Sequence, residues 1–468
     1  MSRTPMRRPH RVGHRHAVLA MAAAGLLVTA TGMPAGADQP NPKTDDTFTV
    51  DDHCNHSSGI TVPEGFCATL LKKGLVGARH MVFTEDGRAY VAIADARDGS
   101  RKGGIVALRD ADGDGYADQM ERFGDGGGNG IAYRDGHLWF AMNDSIVRYD
   151  LPASGLKPTG KPTTIVSGLP ADGDHTAKTV VLGAGDDMYV NFGSASNACQ
   201  VDNRAVRSPG VDPCPELATR AGVWKFSAST PDQTQAAGER VATGTRNMNA
   251  LAVQPGTGDL FGVQNGRDQL FENWPNLYEA ADDLVLPAEE MFRLGGDADY
   301  GWPYCYFDPE LGHKVLAPEY GGDGTTEGRC ATATDPLLTF PAHWAPLSML
   351  FYADDQFPAQ YRDGAFVAFH GSRFDPVNQP AGAGYEVAFV PFTDGSPTGT
   401  WSTFADGFAG PTTNLPDDAA HRAVGLTTDQ HGQLYITDDK AGTIYRVTYM
   451  GDAAGHDPHK GTTTTTKA

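Results

Sequence analysis

Seven residues between positions 110 and 121 have the types and spacing of a calcium-binding loop. Acidic residues fill alternate positions, followed by a glycine and by an acid at the twelfth position: Asp110, Asp112, Asp114, Gly115, Tyr116, Asp118 and Glu121. Hard oxygens at this spacing can wrap one hard cation, with Tyr116 contributing its backbone carbonyl. An EF-hand would need flanking helices, whereas the preceding GGIVALR segment is typical of a strand. The motif therefore predicts a structural calcium loop rather than a calcium sensor.

A second set of residues has the chemistry needed to oxidise an alcohol, which requires a base, a hydride acceptor and positive charge near that acceptor. His175 can be the base because histidine titrates near neutral pH, and Asp174 beside it could orient the ring. Adjacent strand residues point to opposite faces, which counts against that role for Asp174. Arg246 and Arg422 can supply fixed, planar cations. The alternatives are an ordinary loop histidine and solvated arginines at strand ends.

Seven short motifs follow one another in a fixed order along the chain: GDH at Gly173, GTRN at Gly244, QNGRD at Gln264, DYGWPYCY at Asp299, HWAP at His343, FHGS at Phe369 and HRAVGL at His421. In this order they resemble the soluble glucose dehydrogenases that depend on pyrroloquinoline quinone (PQQ), and the related sorbosone and pyranose dehydrogenases. Each motif is weak alone, but the set is specific and spans roughly the whole chain after residue 37. The resemblance implies a PQQ- and calcium-dependent oxidoreductase that acts on a sugar.

The resemblance also implies roles for single residues. His175 would remove the proton from a sugar hydroxyl, the anomeric one or that of an aldehyde hydrate, while hydride moves to PQQ. Arg246 would lie against the quinone oxygens and stabilise the charge that develops there, and Arg422 would bind a cofactor carboxylate. The remaining matched positions would hydrogen-bond or face the cofactor: Asn247, His343 and His370.

The QNGRD segment resembles the loop whose backbone carbonyls hold the calcium that clamps PQQ. Calcium accepts such oxygens, and a glycine lets the backbone approach closely. We therefore expect Gly266 and Arg267 to supply carbonyl ligands. The alternative is a plain hairpin turn, because Asn-Gly is the commonest hairpin signal.

The chain departs from the glucose dehydrogenases at two points. Where those enzymes have DGQNG, this chain has DGGGNG over 125–130, so a contact is lost or is taken over by Asn129. In the glucose dehydrogenases a lysine and paired arginines hold PQQ. The corresponding part of this chain has a histidine region at His370 and a single arginine, Arg422, which is closer to the sorbosone and pyranose branch. Arg79 and His80 could supply the missing positive charge.

The elements that must position these residues are visible as a repeat. An apolar segment, a turn rich in Asp and Gly, and a second apolar strand recur six times, beginning at Met81, Ile131, Val180, Leu251, Tyr361 (in looser form) and Leu426. Period-2 alternation on either side of a glycine turn predicts a hairpin at each position. Six hairpins predict an all-β, six-bladed β-propeller over residues 38–450.

The length of each repeat agrees with four strands to a blade. Gly87 and Gly432, in the first and last turns, are 345 residues apart, or about 69 residues for each of five intervals. The long gap between Gly258 and Gly364 predicts insertions on one face, including 273–287 and 313–334. Such loops would wall a pocket at the mouth of the channel.

The N-terminal segment of the chain predicts export. Five arginines precede an apolar run over 17–30 and a small-residue site at 35–37, which is typical of a signal peptide over 1–37. The route, general secretion or twin-arginine export, stays open. Removing those five arginines, with no acidic residue before Asp38, changes the formal charge from −21 to −26. Such an acidic protein is a poor partner for nucleic acid or anionic membranes. The tail, 451–468, is predicted to be disordered.

The six cysteines fall into three sequence-adjacent pairs, which in an exported protein predicts three local disulfides: Cys54 with Cys67, Cys199 with Cys214, and Cys305 with Cys330. Fifteen pairings are formally possible. No Cys-x-x-Cys-His haem site occurs, so electrons would pass to an external acceptor.

Two other functions remain open from the sequence. One is a propeller that binds carbohydrate or protein without chemistry, and the other is a calcium-dependent lactonase on the same fold. A lactonase needs side-chain carboxylates that converge on its metal, whereas the central motifs here offer arginines and histidines. The sugar, the acceptor and the oligomeric state do not follow from these residues.

Overall fold

The computed structural model describes residues 58–296, 298–372, 383–411 and 417–451. Six sheets of four or five short strands dominate these residues and form a six-bladed β-propeller, so the predicted fold class is confirmed. The described residues belong to one compact unit, Val50–Ala468. The predicted signal peptide and all but the first residue of the predicted tail lie outside the described residues.

The first three blades follow one another along the chain. After β1 (Phe66–Lys72), the first blade contains β2 (Ala78–Phe83), β3 (Ala89–Ile93), β4 (Gly104–Arg109) and β5 (Gln119–Phe123). The second contains β6 (Gly128–Arg134), β7 (His137–Met142), β8 (Ser145–Asp150) and β9 (Thr163–Ser167). The third contains β10 (Val180–Leu182), β11 (Asp187–Phe192), β12 (Gly222–Ser227) and β14 (Glu239–Thr243), while β13 (Gln233–Thr234) extends the second blade in parallel with β9.

The last three blades carry the insertions. The fourth contains β15 (Ala250–Val253), β16 (Leu260–Gln264), β17 (Glu289–Leu294) and β20 (Leu338–Phe340), interrupted by helix α1 (Leu270–Asn273) and the pair β18 (Cys305–Asp308) and β19 (His313–Leu316). The fifth contains β21 (Pro346–Phe351), β22 (Ala365–Phe369), β23 (Val387–Val390) and β26 (Ser402–Ala405), with a small hairpin of β24 (Phe392–Thr393) and β25 (Ser396–Pro397). The sixth contains β27 (Ala423–Thr428), β28 (Leu434–Asp438) and β29 (Ile444–Tyr449).

Ring closure and short 3-10 helices complete the architecture. The early strand β1 pairs antiparallel with β29, so the two ends of the propeller close within the sixth blade. The 3-10 helices are Pro215–Ala218, Gln235–Ala237, Asp282–Leu284, Pro318–Tyr320, Gly328–Thr332 and Ala359–Tyr361. Among the described residues, no helix is long and apolar enough to cross a bilayer.

The hydrophobic core is divided among the six seams between neighbouring blades, with one apolar cluster at each seam. The middle strands β3, β22 and β28 are buried at every position. Their two faces pack against two different blades, so they are continuously apolar rather than alternating. Only outer strands such as β5 show wide exposure.

Five of the six repeated phrases form the predicted hairpins. The looser phrase at Tyr361 does not, and this prediction was wrong. Tyr361 ends a 3-10 helix, and only the second half of the phrase is a strand, β22, whose partner β21 lies before residue 352.

Two predicted disulfides are present, Cys199–Cys214 and Cys305–Cys330. Cys67 is also disulfide-bonded, but its predicted partner Cys54 lies outside the described residues.

Candidate functional site

A central cavity lies at the face of the propeller where the innermost strand of each blade begins. These six strands contact one another in a ring, and each is the first strand of its hairpin, so their first residues meet at the same end. The cavity has a volume of about 620 Å³. Its wall brings together eight residues that were singled out in the sequence: Asp174, His175, Arg246, Asn247, Gly266, His343, His370 and Arg422.

His175 lies just before β10, and the turn after β11 holds its ring. Nδ1 is 3.0 Å from both the backbone carbonyl oxygen and the hydroxyl oxygen of Ser194. Burial, and then the nearby Arg246 guanidinium, lower the pKa of His175 to about 3. The imidazole is therefore neutral at neutral pH and can accept a proton, as a general base must.

Asp174 does not hydrogen-bond to His175. Its carboxylate accepts hydrogen bonds from Arg204 Nε at 3.0 Å and from Asn203 Nδ2 at 3.3 Å. Although burial alone would raise it, these partners hold the pKa of Asp174 below its usual value. The orienting role that the sequence offered to Asp174 belongs to Ser194 instead.

Arg246 lies in the segment before β15, is 4% exposed, and has its guanidinium held on several sides. Nε donates to the carbonyl of Asn197 at 3.1 Å, and Nη1 donates to the carbonyl of Gly266 at 2.8 Å. Nη2 donates to Asn197 Oδ1 at 3.0 Å and to the Asp268 carboxylate at 3.2 Å. A cation fixed in this way can stabilise developing negative charge without first reorganising.

An insertion over 193–221, between β11 and β12, covers this side of the cavity, and the sequence analysis missed it. Its loop is closed by the disulfide Cys199–Cys214 and carries Arg204. Arg204 Nη1 donates to Asp268 at 3.1 Å while its Nε holds Asp174, so it links two walls of the cavity. The predicted cysteine pair could have revealed the insertion. The residues that it encloses do not follow the repeated strand pattern that begins at Val180 or the next one at Leu251.

The opposite wall combines residues from the fifth, sixth and first blades. Arg422 Nε donates to the carbonyl of His370 at 2.8 Å, and His370 Nε2 is 2.8 Å from Asp439. Arg79 Nη1 donates to the same carboxylate at 2.8 Å, and its Nε donates to Asn129 at 2.8 Å. Burial opposes ionisation of Asp439, but His370, Arg79 and Arg422 together hold its pKa well below the usual range.

Arg79, His80 and Asn129 do not line the cavity. Arg79 is a cation, but it is paired with Asp439 behind the wall. His80 supplies no positive charge, which corrects the expectation: burial lowers its pKa to about 4, and its Nε2 lies 2.8 Å from the carbonyl of Leu347. Asn129 is buried in the ring of strands, where it accepts from Arg79 Nε and donates to the Thr179 hydroxyl at 3.1 Å.

The QNGRD segment leaves β16 as a loop, so the hairpin alternative was wrong: β17 begins only at Glu289. The amide of Gly266 donates to Glu289 Oε2 at 2.6 Å. The guanidinium of Arg267 is buried and forms an ion pair with Glu319 in the second insertion. Unlike Gly266, Arg267 is not among the residues that line the cavity.

His343 closes the cavity beside this loop. Its Nε2 lies 3.0 Å from the carbonyl of Leu286, in the first insertion, and its Nδ1 lies 3.5 Å from Asp268. Both His343 (φ 63°) and Ala345 (φ 56°) have a left-handed backbone conformation, which residues other than glycine rarely adopt. Such strain is concentrated at functional sites. The insertions 273–287 and 313–334 contribute no residue to the cavity wall, which corrects that expectation; they support it from behind through Leu286 and Glu319.

Three acidic residues in the cavity wall were missed: Asp268, Glu289 and Asp417. Burial raises the pKa of Glu289 to about 8, and hydrogen bonds from the amides of Gly266 and Ala345 offset this only in part. Asp268 is the last residue of the quoted motif. Glu289 has no local signal because it is one of two adjacent glutamates at the start of β17, and only Glu289 lines the cavity.

The acidic loop at 110–121 lies between β4 and β5. Because β4 runs in the same direction as β2, this loop is at the face opposite the cavity. Carboxylate oxygens of Asp110, Asp112 and Asp118 lie within 4.8 Å of one another. The Asp114 carboxylate accepts the Tyr116 amide at 2.7 Å, and Glu121 lies on β5 in an ion pair with Lys157 at 3.2 Å. The structure therefore groups three of the predicted ligands and places Glu121 beside a cation instead.

Comparisons with known proteins support this architecture. A family model described as TrAA12-like matches residues 60–450. A pyrroloquinoline quinone-dependent sugar dehydrogenase from Hypocrea jecorina is 26% identical over 428 residues, covering 84% of this chain and 90% of the relative. The calcium structure of the family AA12 enzyme from Trichoderma reesei has a TM-score of 0.65 at 22% identity, covering 83% of this chain and 97% of that one. The holo PQQ domain of pyranose dehydrogenase from Coprinopsis cinerea has a TM-score of 0.65 at 21% identity, with the same coverages.

Proposed function

The chain belongs to the TrAA12-like family, and on that premise we propose that it is a dehydrogenase that oxidises a sugar with PQQ as cofactor and calcium at the cofactor site. The relative from Hypocrea jecorina, a PQQ-dependent sugar dehydrogenase, supports the proposal over most of the chain. The observation that carries it is the position of a neutral His175 and a fixed Arg246 on the wall of one cavity.

The cavity suits a flat polyanion. PQQ carries three carboxylates and an ortho-quinone, and the wall offers four guanidiniums: Arg97, Arg204, Arg246 and Arg422. Within the described part of the chain, Nη1 of Arg422 donates to no protein acceptor, whereas its Nε and Nη2 are taken by the carbonyls of His370 and Gly371. Arg422 is thus held in place with one nitrogen free for a carboxylate. Ligand sites range over about 300–1,000 Å³, so the cavity has room for cofactor and sugar together.

PQQ, when bound, would take up the two electrons and the hydrogen that leave the sugar carbon as hydride. The remaining tasks belong to the chain. Nε2 of His175 accepts the hydroxyl proton as the C–O bond becomes a carbonyl. Arg246 presents a fixed positive charge on the same wall, and Asn247, His343 and His370 border the space between them.

Calcium would be held by the backbone carbonyls of Gly266 and Arg267, as the family resemblance implies. The Gly266 carbonyl already accepts Arg246 Nη1 at 2.8 Å, but a carbonyl oxygen has a second lone pair. Asp268 and Glu289 add acidic groups to the same part of the wall. Oxygen donors with acidic neighbours suit a hard divalent cation.

Export and an external electron acceptor are part of the proposal, with residues 1–37 as the signal peptide. The disulfides Cys199–Cys214 and Cys305–Cys330 support an oxidising compartment. A lactonase is less well supported, because it needs side-chain ligands that converge on a metal in the cavity. Among the described residues, two groups have three His, Cys, Asp or Glu ligand atoms within 4.8 Å of one another. One is the acidic loop and the other is the Cys199–Cys214 disulfide with Glu216, and neither lines the cavity.

Titration of the purified apo-protein with PQQ and calcium tests the proposal. We expect saturable quinone absorbance that requires calcium, followed by dye reduction with one or more aldoses or ketoses. A protein that takes up no PQQ would be a binding propeller, and lactone hydrolysis without PQQ would establish the hydrolase; either result would overturn the proposal.

A further inference from the structure

The hydrogen bonds around Ser194 determine which ring nitrogen of His175 carries the proton. The Ser194 hydroxyl donates its single hydrogen to the carbonyl of Ser196 at 2.7 Å. The hydroxyl oxygen can therefore only accept a hydrogen bond from His175. The Ser194 backbone carbonyl, which has no hydrogen, can likewise only accept. Both contacts of Nδ1, each at 3.0 Å, are thus acceptors, so Nδ1 must carry the hydrogen.

The other ring nitrogen is left available to the cavity. His175 lines the cavity wall, and within the described residues Nε2 has no hydrogen-bond partner. With the hydrogen on Nδ1, Nε2 holds a lone pair and can accept a proton from a bound hydroxyl. The opposite tautomer would present an N–H donor to the cavity and could not act as a base.

The Ser194 turn is itself held in place by Glu216. One carboxylate oxygen accepts the amides of Ala195 at 2.6 Å and Ser196 at 3.2 Å. The other accepts the Ser196 hydroxyl, whose oxygen in turn accepts the Cys199 amide at 2.9 Å. Glu216 lies two residues after Cys214, so the disulfide keeps this carboxylate close to the turn.

The same turn ties the base to the cation and to the GDH segment. The amide of Ser194 donates to the carbonyl of Arg246 at 2.8 Å, and the amide of Asp174 donates to the carbonyl of Ala195 at 2.8 Å. A side chain on Gly173 would overlap Ala195, which explains the glycine at the start of that motif. Movement of the turn would therefore displace His175 relative to Arg246.

We propose that Ser194 and Glu216 are positioning residues: Ser194 holds His175 as the Nδ1–H tautomer, and Glu216 holds the Ser194 turn. This inference rests on the proposed function, because it gives the free Nε2 the role of base. Ser194 and Glu216 do not line the cavity, but together they determine which nitrogen of the His175 ring carries the hydrogen.

Nitrogen-15 NMR of histidine-labelled apo-protein at neutral pH reads the tautomer directly, with the His175 signals assigned by their loss in His175→Gln. We expect the wild type to show a protonated Nδ1 and an unprotonated Nε2. Glu216→Gln and Ser194→Ala should each lower kcat at least about tenfold, with KM changed much less. Glu216→Gln, which releases the turn, should also give a mixture of tautomers, whereas Ser194→Ala keeps the backbone carbonyl that accepts from Nδ1 and should shift the tautomer less. Ser145→Ala, which removes an exposed hydroxyl bonded only to Asp144, should change neither.

Three outcomes separate this inference from the proposed function. A wild-type ring protonated on Nε2 overturns the inference, as does an unchanged tautomer and kcat in both variants. Because the wild-type spectrum needs only His175→Gln for its assignment, misfolding of Ser194→Ala or Glu216→Gln leaves the test decisive. If the expected tautomer is found but His175→Ala still reduces dye, the tautomer assignment stands and the base role fails.

Discussion

Arg79 and Asp439 form a 2.8 Å ion pair that joins the first blade to the last beneath the cavity wall. The Asp439 carboxylate also holds Nε2 of His370, which follows β22 of the fifth blade, at 2.8 Å. Three blades therefore meet at one carboxylate. Because His370 in turn holds Arg422 through its carbonyl, the closure of the ring and the shape of the cavity depend on the same contacts.

Asp439→Asn should destabilise the protein by about 3 kcal/mol, because a largely buried Arg79 loses its counterion. Urea unfolding of the apo-protein measures the change. The matched control is Asp150→Asn, whose pair with His137 is widely exposed, and which should cost less than about 1 kcal/mol. Equal losses in the two variants would show that Asp439 does not anchor the ring.

His175→Ala should bind PQQ almost as tightly as the wild type but lose at least about 100-fold in kcat with an artificial acceptor, because the proton acceptor is gone. His137→Ala, at an exposed position on the second blade, is the control for loss of an imidazole and should keep full activity. Unchanged turnover in His175→Ala contradicts the base assignment.

Arg422→Lys should weaken PQQ binding about tenfold or more, since an ammonium replaces a planar fork that two carbonyls hold in place. At saturating PQQ its kcat should be close to that of the wild type. Quinone absorbance in a titration gives the affinity. Arg329→Lys controls for the change of residue, because Arg329 is exposed in the 3-10 helix Gly328–Thr332 and pairs with Asp212. A wild-type affinity in Arg422→Lys would remove it from the cofactor site.

His80 should make the protein less stable in mild acid. Burial lowers its pKa from 6.5 to about 4 in the folded chain. Between those values the unfolded chain binds the extra proton, so stability is lost as pH falls from 6.5 towards 4, by up to about 3 kcal/mol. His80→Gln can still donate to Leu347 and should lose less over this window, measured by urea unfolding at pH 6.5 and 4.5. His137→Gln should follow the wild type, and an equal slope for His80→Gln would refute the assignment.

Calcium at the acidic loop should stabilise the protein without affecting turnover. At about 100 times its Kd, a bound ion adds roughly 2.7 kcal/mol, so the Tm of the apo-protein should rise with calcium. Asp112→Asn should reduce that rise yet leave calcium-dependent PQQ uptake intact, since the loop is at the face opposite the cavity and the cofactor-site calcium does not involve it. Asp98→Asn, on another exposed turn, is the control. If calcium leaves the wild-type Tm unchanged, the loop is not a calcium site.

The blade count and the face that carries the cavity were predictable because hairpin turns and strand starts are local signals. His175, Arg246 and Arg422 each precede an innermost strand, and a propeller brings all such positions to one end. Burial within blades was less predictable. The alternation expected of half-buried strands fails in β3 and β22, whose neighbours on both faces come from distant parts of the chain.

The partners of the site residues could not be derived from the sequence in the same way. Ser194, Asp268 and Glu289 act through contacts between loops and strand ends of one blade, which form only once its strands have paired and which no local sequence pattern specifies. Asp174 illustrates the reverse case: it is adjacent to His175 in sequence, yet it pairs with Arg204 from the disulfide-closed loop. Proximity along the chain was a poor guide to hydrogen bonding within the cavity.

The pairing of β1 with β29 also governs the order of events during synthesis. Within the described residues β1 has no other strand partner, and its register runs from Phe66 opposite Tyr449 to Lys72 opposite Ile444. A nascent chain must therefore keep an apolar edge unpaired until some 380 further residues have left the ribosome, as their numbers in the sequence imply. Until then that edge is open to chaperones, to translocation factors and to misassembly with other copies.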